Sequence, residues 1–383
     1  MRRRRMEGNV GSGLRNTDES PSSETDGRGG ERSALDVAPQ TCASCLKSIG
    51  RFLCWTVFYL LISLVVFLAV VAPAVIKIFP QISKHIVYLN AFKIPYNVNL
   101  SDPSSVQLDY ARNFYHHVED NITVGVWHVL PKSLEKPGLQ PEEFESLLSA
   151  GPSIMLYCHG NTGTRALYHR VVLYQQMAAL GFHFIAFDYR GFGDSTGSPT
   201  SEDGVMSDVV SLYLMLREKA GPHIPIYVWG HSLGTGIATK AVRFLTEQKE
   251  EYPRALILES PFNNVFEAAL EHPFSKVVRL LWWFDDVFLE AMHSYGIYLQ
   301  NDEHICHIEL PVLILHAEDD IVVPYALGVK LYEASKKRPD SFPPVVFHTF
   351  PKELGLLHKW ICTATELPRI IEDFISSTEQ VQK

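Results

Sequence analysis

The chain has 383 residues, of which 46% are hydrophobic and 20% charged, with 24 glycines and 23 prolines. These fractions exclude a disordered or collagen-like protein, and six cysteines are too few for a disulfide-based scaffold of this length. The formal net charge of −9 argues against a nucleic-acid-binding protein, because such proteins carry a basic excess.

The N-terminal residues 1–50 are predicted to be a disordered tail. They are rich in Ser, Gly, Arg, Asp and Glu and contain few large apolar side chains that could offset the entropy cost of folding. Cys42 and Cys45 form a Cys-x-x-Cys pair without a second pair nearby, which leaves free thiols or S-acylation beside a membrane as the interpretations.

A single transmembrane helix is predicted over residues 51–77. Its apolar part, Phe52 to Ile76, has no charged side chain and would extend about 37 Å as a helix, whereas a hydrocarbon core is about 30 Å thick. A buried core helix is the alternative, although such helices are rarely as long or as apolar. A cleaved signal peptide does not fit a run that begins this far into the chain.

Two features favour a cytosolic N-terminus and a lumenal domain after the span. Lysines and arginines within twenty residues are equal in number on both sides, so the local charge balance does not decide. Four consecutive arginines begin at Arg2, and glycosylation sequons at Asn99 and Asn121 follow the span. These asymmetries predict the orientation.

Residues 78–110 are interpreted as a linker and residues 111–383 as one large domain. Short β-rich runs alternate there with amphipathic segments, which is typical of a mostly parallel sheet with helices on both faces, an α/β fold. Three cysteines, Cys158, Cys306 and Cys362, cannot all pair with one another. The predicted strands are 122–130, 153–158, 182–188, 226–230, 255–259, 312–316 and 345–350, and the predicted helices are 164–179, 203–218, 233–247, 325–335 and 366–376.

A cap insertion is predicted at residues 262–304, where a long segment interrupts the alternation between two core strands. The segment is rich in aromatic residues, which are either ordinary core or an apolar surface that admits an acyl chain. The four candidates for that surface are Leu280, Trp282, Trp283 and Phe284.

The sequence Gly230-His231-Ser232-Leu233-Gly234 lies between a predicted strand and a predicted helix. Gly-x-Ser-x-Gly in this setting is a nucleophile elbow, which raises the serine hydroxyl above the sheet and needs glycine on either side. Ser232 is therefore the candidate nucleophile. The N–H of Leu233 is a candidate oxyanion donor, and Asn161, in the loop after strand 153–158, is the second candidate.

An acid and a histidine are expected to follow the serine in chain order. Asp320, after strand 312–316, is the preferred acid, with Asp319 and Glu259 as alternatives. His358, in the loop after the last strand, is the candidate base. In the resulting mechanism Ser232 attacks an acyl carbonyl, His358 moves the proton, and no metal or organic cofactor is required.

With these residues in place, the chain from about Tyr88 to its C-terminus resembles the α/β-hydrolase superfamily, and most closely its membrane-anchored lipases that hydrolyse lysophosphatidylserine and monoacylglycerols. The segments that carry the resemblance are YCHGNTGTR, FDYRGFGDSTG, WGHSLGTG, LILESPF and LILHAEDDIVVP. The resemblance implies an endoplasmic reticulum membrane protein with a lumenal domain, the α/β-hydrolase fold, and catalytic roles for Ser232, Asp320 and His358.

Two alternatives stay open at this point. An acyl-protein thioesterase or a general esterase would use the same three residues, and a catalytically silent binding module would retain the fold without the reaction. The expected partners are a lipid substrate and a membrane, with no nucleic acid. The sequence leaves the head-group preference and the oligomeric state undetermined.

Overall fold

The computed structural model describes residues 38–199, 201–249 and 251–380. An apolar helix begins with α1 (Ala38–Val66), passes through a π-helical turn (Phe67–Val71) and continues as α2 (Ala72–Ile78). Its residues 44–78, which contain an 18-residue window with a mean hydropathy of 2.8, are long and apolar enough to cross a membrane, as predicted for 51–77. Residues 1–37 of the predicted tail lie outside the described residues.

The prediction of a disordered tail was wrong for residues 38–50, which belong to α1. Helix propagation adds one hydrogen bond for each residue fixed, so a strongly helical apolar run extends towards the N-terminus until a helix breaker intervenes. Pro39 stands in the first turn of α1, where proline is tolerated.

The chain divides into two compact units between residues 62 and 63. The second unit contains an eight-stranded sheet in the order β1-β2-β4-β3-β5-β6-β7-β8. The pairs β1–β2 and β2–β4 are antiparallel and the remaining pairs are parallel. The strands are β1 (Ala111–Glu119), β2 (Ile122–Val129), β3 (Ile154–Cys158), β4 (His183–Phe187), β5 (Ile226–His231), β6 (Ala255–Glu259), β7 (Val312–Ala317) and β8 (Val345–Phe350).

Helices cover both faces of this sheet. Val228 of β5 belongs to the core on one face, and its neighbour Trp229 belongs to the core on the other, so the strand is apolar at consecutive positions. The helices are α3 (Ile82–Tyr88), α4 (Pro141–Leu147), α5 (Tyr168–Ala179), α6 (Glu202–Ala220), α7 (Leu233–Lys249), α8 (Val265–Glu271), α9 (Pro273–Val278), α10 (Glu290–Ser294), α11 (Asn301–His304), α12 (Tyr325–Ser335) and α13 (Leu367–Gln380).

All seven predicted strands are present within about one residue, and the five predicted helices correspond to α5, α6, α7, α12 and α13. Strand β1 was not predicted, because its sequence ARNFYHHVE is largely polar and its side chains are half-buried or exposed at the edge of the sheet. Helix α5 begins at Tyr168, four residues later than predicted, because Arg165 before it is buried in a polar network.

The interpretation of residues 78–110 as a linker was wrong. Tyr88, at the end of α3, is fully buried, and the indole N–H of Trp127 donates to the carbonyl oxygen of Leu100 at 2.8 Å. The N–H of Gly163 donates to the carbonyl oxygen of Phe92 at 2.8 Å. This segment therefore packs against the domain, beside the loop that follows β3.

The predicted cap segment, residues 262–304, forms helices α8 to α11 and a π-helical turn (Phe284–Leu289) between β6 and β7. The four candidates for an apolar surface divide into two pairs. Trp283 and Phe284 are buried, whereas Leu280 and Trp282 are 85% and 76% exposed. Only the second pair is available to contact lipid.

Candidate active site

The predicted elbow is present at the junction of β5 and α7. Ser232 separates the two elements and has a φ of +53°, a left-handed conformation that is unfavourable for any residue other than glycine. Its N–H donates to the carbonyl oxygen of Glu259 at 2.9 Å, which fixes the turn to the end of β6. The serine is thus held in a strained conformation at the carboxyl edge of the parallel sheet.

The two elbow glycines are required by close backbone contacts. A Cβ atom on Gly230 would lie 2.5 Å from the carbonyl oxygen of Gly234. A Cβ on Gly234 would collide with the carbonyl oxygen of Cys158 at the end of β3. The glycine spacing in the sequence therefore reflects steric exclusion on both sides of Ser232.

The structure brings Ser232, His358 and Asp320 together. Nε2 of His358 lies 2.9 Å from Oγ of Ser232, and Nδ1 lies 2.7 Å from Oδ2 of Asp320. All three residues are at least nine-tenths buried. An imidazole that donates Nδ1–H to a carboxylate leaves Nε2 free to accept the serine proton, which is the arrangement that activates a hydroxyl nucleophile.

The Asp320 carboxylate is stabilised in its ionised form. Its Oδ1 accepts hydrogen bonds from the N–H groups of Val322 and Val323, both at 2.9 Å. Burial opposes ionisation, but hydrogen bonds from His316 and His358 outweigh it and hold the pKa of Asp320 well below its ordinary value. A permanent negative charge therefore faces the imidazole of His358.

The alternative acids have other partners. Oδ1 of Asp319 accepts the N–H of Leu357 at 3.0 Å and so fixes the loop that carries His358. Oε2 of Glu259 accepts the indole N–H of Trp229 at 2.9 Å. Burial raises the pKa of Glu259 to about 7, against the Trp229 hydrogen bond, and the charge of Asp320 adds to the increase.

The loop that follows β3 lies against the nucleophile. A Cβ on Gly160 would lie 3.1 Å from Cβ of Ser232 and 2.7 Å from Nδ1 of His231. The Asn161 side chain donates to the carbonyl oxygen of Val87 and accepts the N–H of Thr162. Leu233 is the first residue of α7, where N–H groups have no intrahelical acceptor. Leu233 thus follows Ser232 directly, and Asn161 follows Gly160, which lies against Ser232.

Two buried side chains that support these loops were not found from the sequence. Nη2 of Arg170 donates to the carbonyl oxygens of Gly160 and Thr162, at 2.8 and 2.9 Å. Nε2 of His231 lies 3.0 Å from the main-chain oxygen of His358. Burial, and then the nearby His358, hold the pKa of His231 well below its ordinary value, so its neutral ring acts as the donor. The position of His231 next to Ser232 was the one sequence feature that could have indicated its supporting role.

A buried ion network explains the motifs HGNTGTR and FDYRGFGDSTG. Nη1 of Arg165 lies 2.5 Å from Oδ2 of Asp188 and 2.7 Å from Oδ1 of Asp194. Burial opposes ionisation of Asp188, but Arg165 and His159 outweigh it and lower its pKa. The network joins the loop after β3 to the loop after β4, and so stabilises the segment that contains Asn161.

Neither a disulfide nor a cluster of metal ligands is found among the described residues. The five described cysteines, Cys45, Cys54, Cys158, Cys306 and Cys362, are unpaired, and Cys42 lies outside the described side chains. Within residues 38–199, 201–249 and 251–380, no three His, Cys, Asp or Glu side chains are grouped as a metal ion would require.

Comparison with known proteins shows the family to which the chain is similar. The family model described as serine aminopeptidase, S33, matches residues 152–294, which include the elbow. The chain is 45% identical over 306 residues to lysophosphatidylserine lipase ABHD12 of Danio rerio, covering 79% of each chain. It is 44% identical to the Mus musculus protein of that name, covering 80% of this chain and 77% of the other. Human protein ABHD12B is 36% identical, with 76% and 79% covered.

Solved structures show the fold. An α/β-hydrolase of Vibrio vulnificus superposes with a TM-score of 0.56 at 16% identity, covering 78% of this chain and 92% of that one. An esterase of Pyrococcus furiosus superposes with a TM-score of 0.53 at 17% identity, covering 75% and 97%.

The sheet order, the elbow and these similarities define a serine hydrolase with the α/β-hydrolase fold. Within that class, the identities above 40% over more than three-quarters of each chain show that this protein belongs to the ABHD12 family.

Proposed function

We propose that the protein is a membrane-anchored serine lipase that hydrolyses lysophospholipids, notably lysophosphatidylserine, and monoacylglycerols through an acyl-serine intermediate. The observation that carries the proposal is the hydrogen-bonded series Ser232–His358–Asp320 in a chain with one apolar helix suited to a membrane. The name shared by the relatives, lysophosphatidylserine lipase, supplies the preferred substrate.

In the proposed reaction, Oγ of Ser232 attacks the acyl carbonyl while Nε2 of His358 takes its proton. The tetrahedral intermediate collapses, the bond to the glycerol oxygen breaks, and His358 returns the proton to that oxygen. Water then attacks the acyl-serine with His358 again as base, and the fatty acid leaves with Ser232 restored. Asp320 remains ionised and orients the imidazole throughout.

The oxyanion is proposed to accept hydrogen bonds from the N–H groups of Asn161 and Leu233. Loss of one such donor costs about 10²–10³ in kcat in well-studied hydrolases, so the fixed position of the loop after β3 matters to the rate. The buried contacts of Arg165 and Arg170 with this loop support a pre-organised site.

Substrate class is tested with the purified full-length protein in detergent. We expect ester hydrolysis of lysophosphatidylserine and monoacylglycerol, with an acyl thioester of the same chain length cleaved more slowly and S232A inactive towards all three. Preference for the thioester would favour the acyl-protein thioesterase alternative. Hydrolysis of short soluble esters alone would indicate a general esterase, and inactivity towards every ester would indicate a silent binding module.

We also propose that the protein resides in the endoplasmic reticulum membrane, with a cytosolic N-terminus and a lumenal domain glycosylated at Asn99 and Asn121. Both asparagines are exposed, as glycosylation requires. Treatment of the cell-expressed protein with endoglycosidase H is expected to increase its mobility, and the N99Q/N121Q variant is expected to show no change. An untreated protein that already migrates like the double variant would place the domain in the cytosol.

A further inference from the structure

The cap segment contacts the apolar helix at its one irregular point. Between α1 and α2 the helix makes a π-helical turn (Phe67–Val71), and the carbonyl oxygen of Leu68 in this turn accepts the indole N–H of Trp283 at 2.7 Å. A π-turn widens the helix locally and weakens its hydrogen-bond ladder, which makes a carbonyl available to an outside donor. Two segments 215 residues apart in the chain are thereby joined.

Packing around this hydrogen bond covers one face of the helix. From Leu68 onwards the less exposed residues recur at helical spacing, and Pro73 and Ile76 are buried. Ile76 shares an apolar cluster with Trp283, Phe284 and other buried cap residues. Residues 44–67, in contrast, are exposed on every face, as expected for a segment that contacts lipid.

The depth of this contact follows from the length of the apolar run. Arg51 is the last charged residue before the run, and twenty residues at 1.5 Å each span the ~30 Å hydrocarbon core, which then ends near Val71. Leu68 lies about 4.5 Å before that end. Trp283 therefore reaches the edge of the hydrocarbon region, and the cap residues next to it lie at the membrane surface.

Leu280 and Trp282, which we call the cap tip, are the most exposed large apolar side chains among those described in the cap, at 85% and 76%. Tryptophan favours the boundary between head groups and acyl chains. Arg279 beside the tip is also exposed, and its Nε lies 3.8 Å from Oδ1 of Asp285. An apolar tip at this depth has the bilayer as its neighbour.

We propose that the cap tip inserts into the bilayer interface, so that the cap is a second membrane-contacting surface held in place by the Trp283–Leu68 hydrogen bond. The proposal rests on the membrane span and is independent of the catalytic assignment. The cap is consequently fixed to the apolar helix at Leu68.

The test uses the full-length protein in phosphatidylcholine vesicles that contain lipids brominated near the head group, which quench tryptophan fluorescence by contact. We expect W282F to reduce the quenched amplitude to roughly half, because Trp55 in the span is the other exposed tryptophan at the membrane, whereas the side chain of Trp283 is buried and shielded from lipid. W360F, which alters a half-buried tryptophan beside His358, serves as the matched control and is expected to leave this amplitude unchanged.

An unchanged quenched amplitude in W282F would overturn the proposal, as would efficient quenching of Trp282 by aqueous iodide in the same vesicles. W283F tests the clamp: we expect it to raise the exposure of Trp282 to iodide while the protein stays in the vesicle fraction. Identical iodide quenching in W283F and wild type would show that the hydrogen bond does not hold the cap tip. Quenching by brominated lipid and quenching by iodide do not depend on hydrolysis. A failure of the lipase proposal would therefore leave both measurements unchanged.

Discussion

The guanidinium of Arg170 donates from Nη2 to the carbonyl oxygen of Gly160, 2.8 Å away, and thereby fixes the peptide that precedes Asn161. The same nitrogen donates to the carbonyl oxygen of Thr162, so the two hydrogen bonds flank the residue whose N–H is proposed to bind the oxyanion. Arg170 itself is almost fully buried. Because its planar guanidinium presents several N–H donors in a fixed arrangement, Arg170 acts as a positioning residue for this loop.

We predict that R170K lowers kcat by roughly 10- to 100-fold while KM stays nearly constant, because the oxyanion forms only in the transition state. Lysine keeps the positive charge but cannot reproduce the forked contacts. Steady-state kinetics with a monoacylglycerol measure both constants.

The matched control is R217K, since Arg217 also donates to main-chain carbonyl oxygens, those of Gly221 and Ile224, but lies at the end of α6. R217K is expected to alter thermal stability without changing kcat. If R170K, like R217K, altered thermal stability without changing kcat, Arg170 would have a purely structural role and the positioning role would be refuted.

The three candidate acids are distinguished by substitution. D320N should lower kcat by about 10³–10⁴, because the amide favours the wrong tautomer of His358. D319N removes a hydrogen bond to the main chain of Leu357 and should cost less than about 10-fold. E259Q keeps an acceptor for Trp229 and should retain activity. A larger loss in D319N or E259Q than in D320N would reassign the acid.

The stability of the protein is predicted to depend on pH through Glu259. Burial raises its folded pKa to about 7 from 4.5, so between these values the folded state binds more protons than the unfolded state. The stabilising effect of the protonated carboxyl is complete below pH 4.5 and is lost as the pH rises to about 7. Wild type should therefore lose up to about 3 kcal/mol across this window relative to E259Q.

Chemical denaturation at pH 5 and pH 8 measures this difference. E259Q is expected to be more stable than wild type at pH 8, and the advantage should shrink at pH 5. The control is E353Q, which alters an exposed glutamate and should follow the wild-type dependence. If the free energy of unfolding changed equally between pH 5 and pH 8 in E259Q and wild type, Glu259 would not be protonated in the folded protein at pH 5.

Local sequence signals predicted the parts of the fold that depend on local physics. Strands such as β5 and β7 are buried on both faces and therefore appear as continuous apolar runs. The elbow was equally visible, because Gly230 and Gly234 meet steric limits set by nearby backbone. Asp320 and His358 followed from their positions after strands β7 and β8.

Features that depend on distant contacts were not visible in the sequence. Strand β1 is polar because it forms the sheet edge, and the segment around Tyr88 resembled a linker because its partners lie far along the chain. Arg170 gave no signal, since a charged residue in an amphipathic helix ordinarily faces solvent. Its burial follows from carbonyl groups that only the folded loop presents.

The central assignment, Ser232 as nucleophile, is tested most directly by covalent labelling with a fluorophosphonate probe. Ser260 offers a matched control, because it is also buried, follows the adjacent strand β6 and has a positive φ of +49°. We predict that wild type and S260A label equally, that S232A does not label, and that the modified peptide contains Ser232. Labelling of S232A at the wild-type level, or no labelling of the wild-type protein, would contradict the assignment.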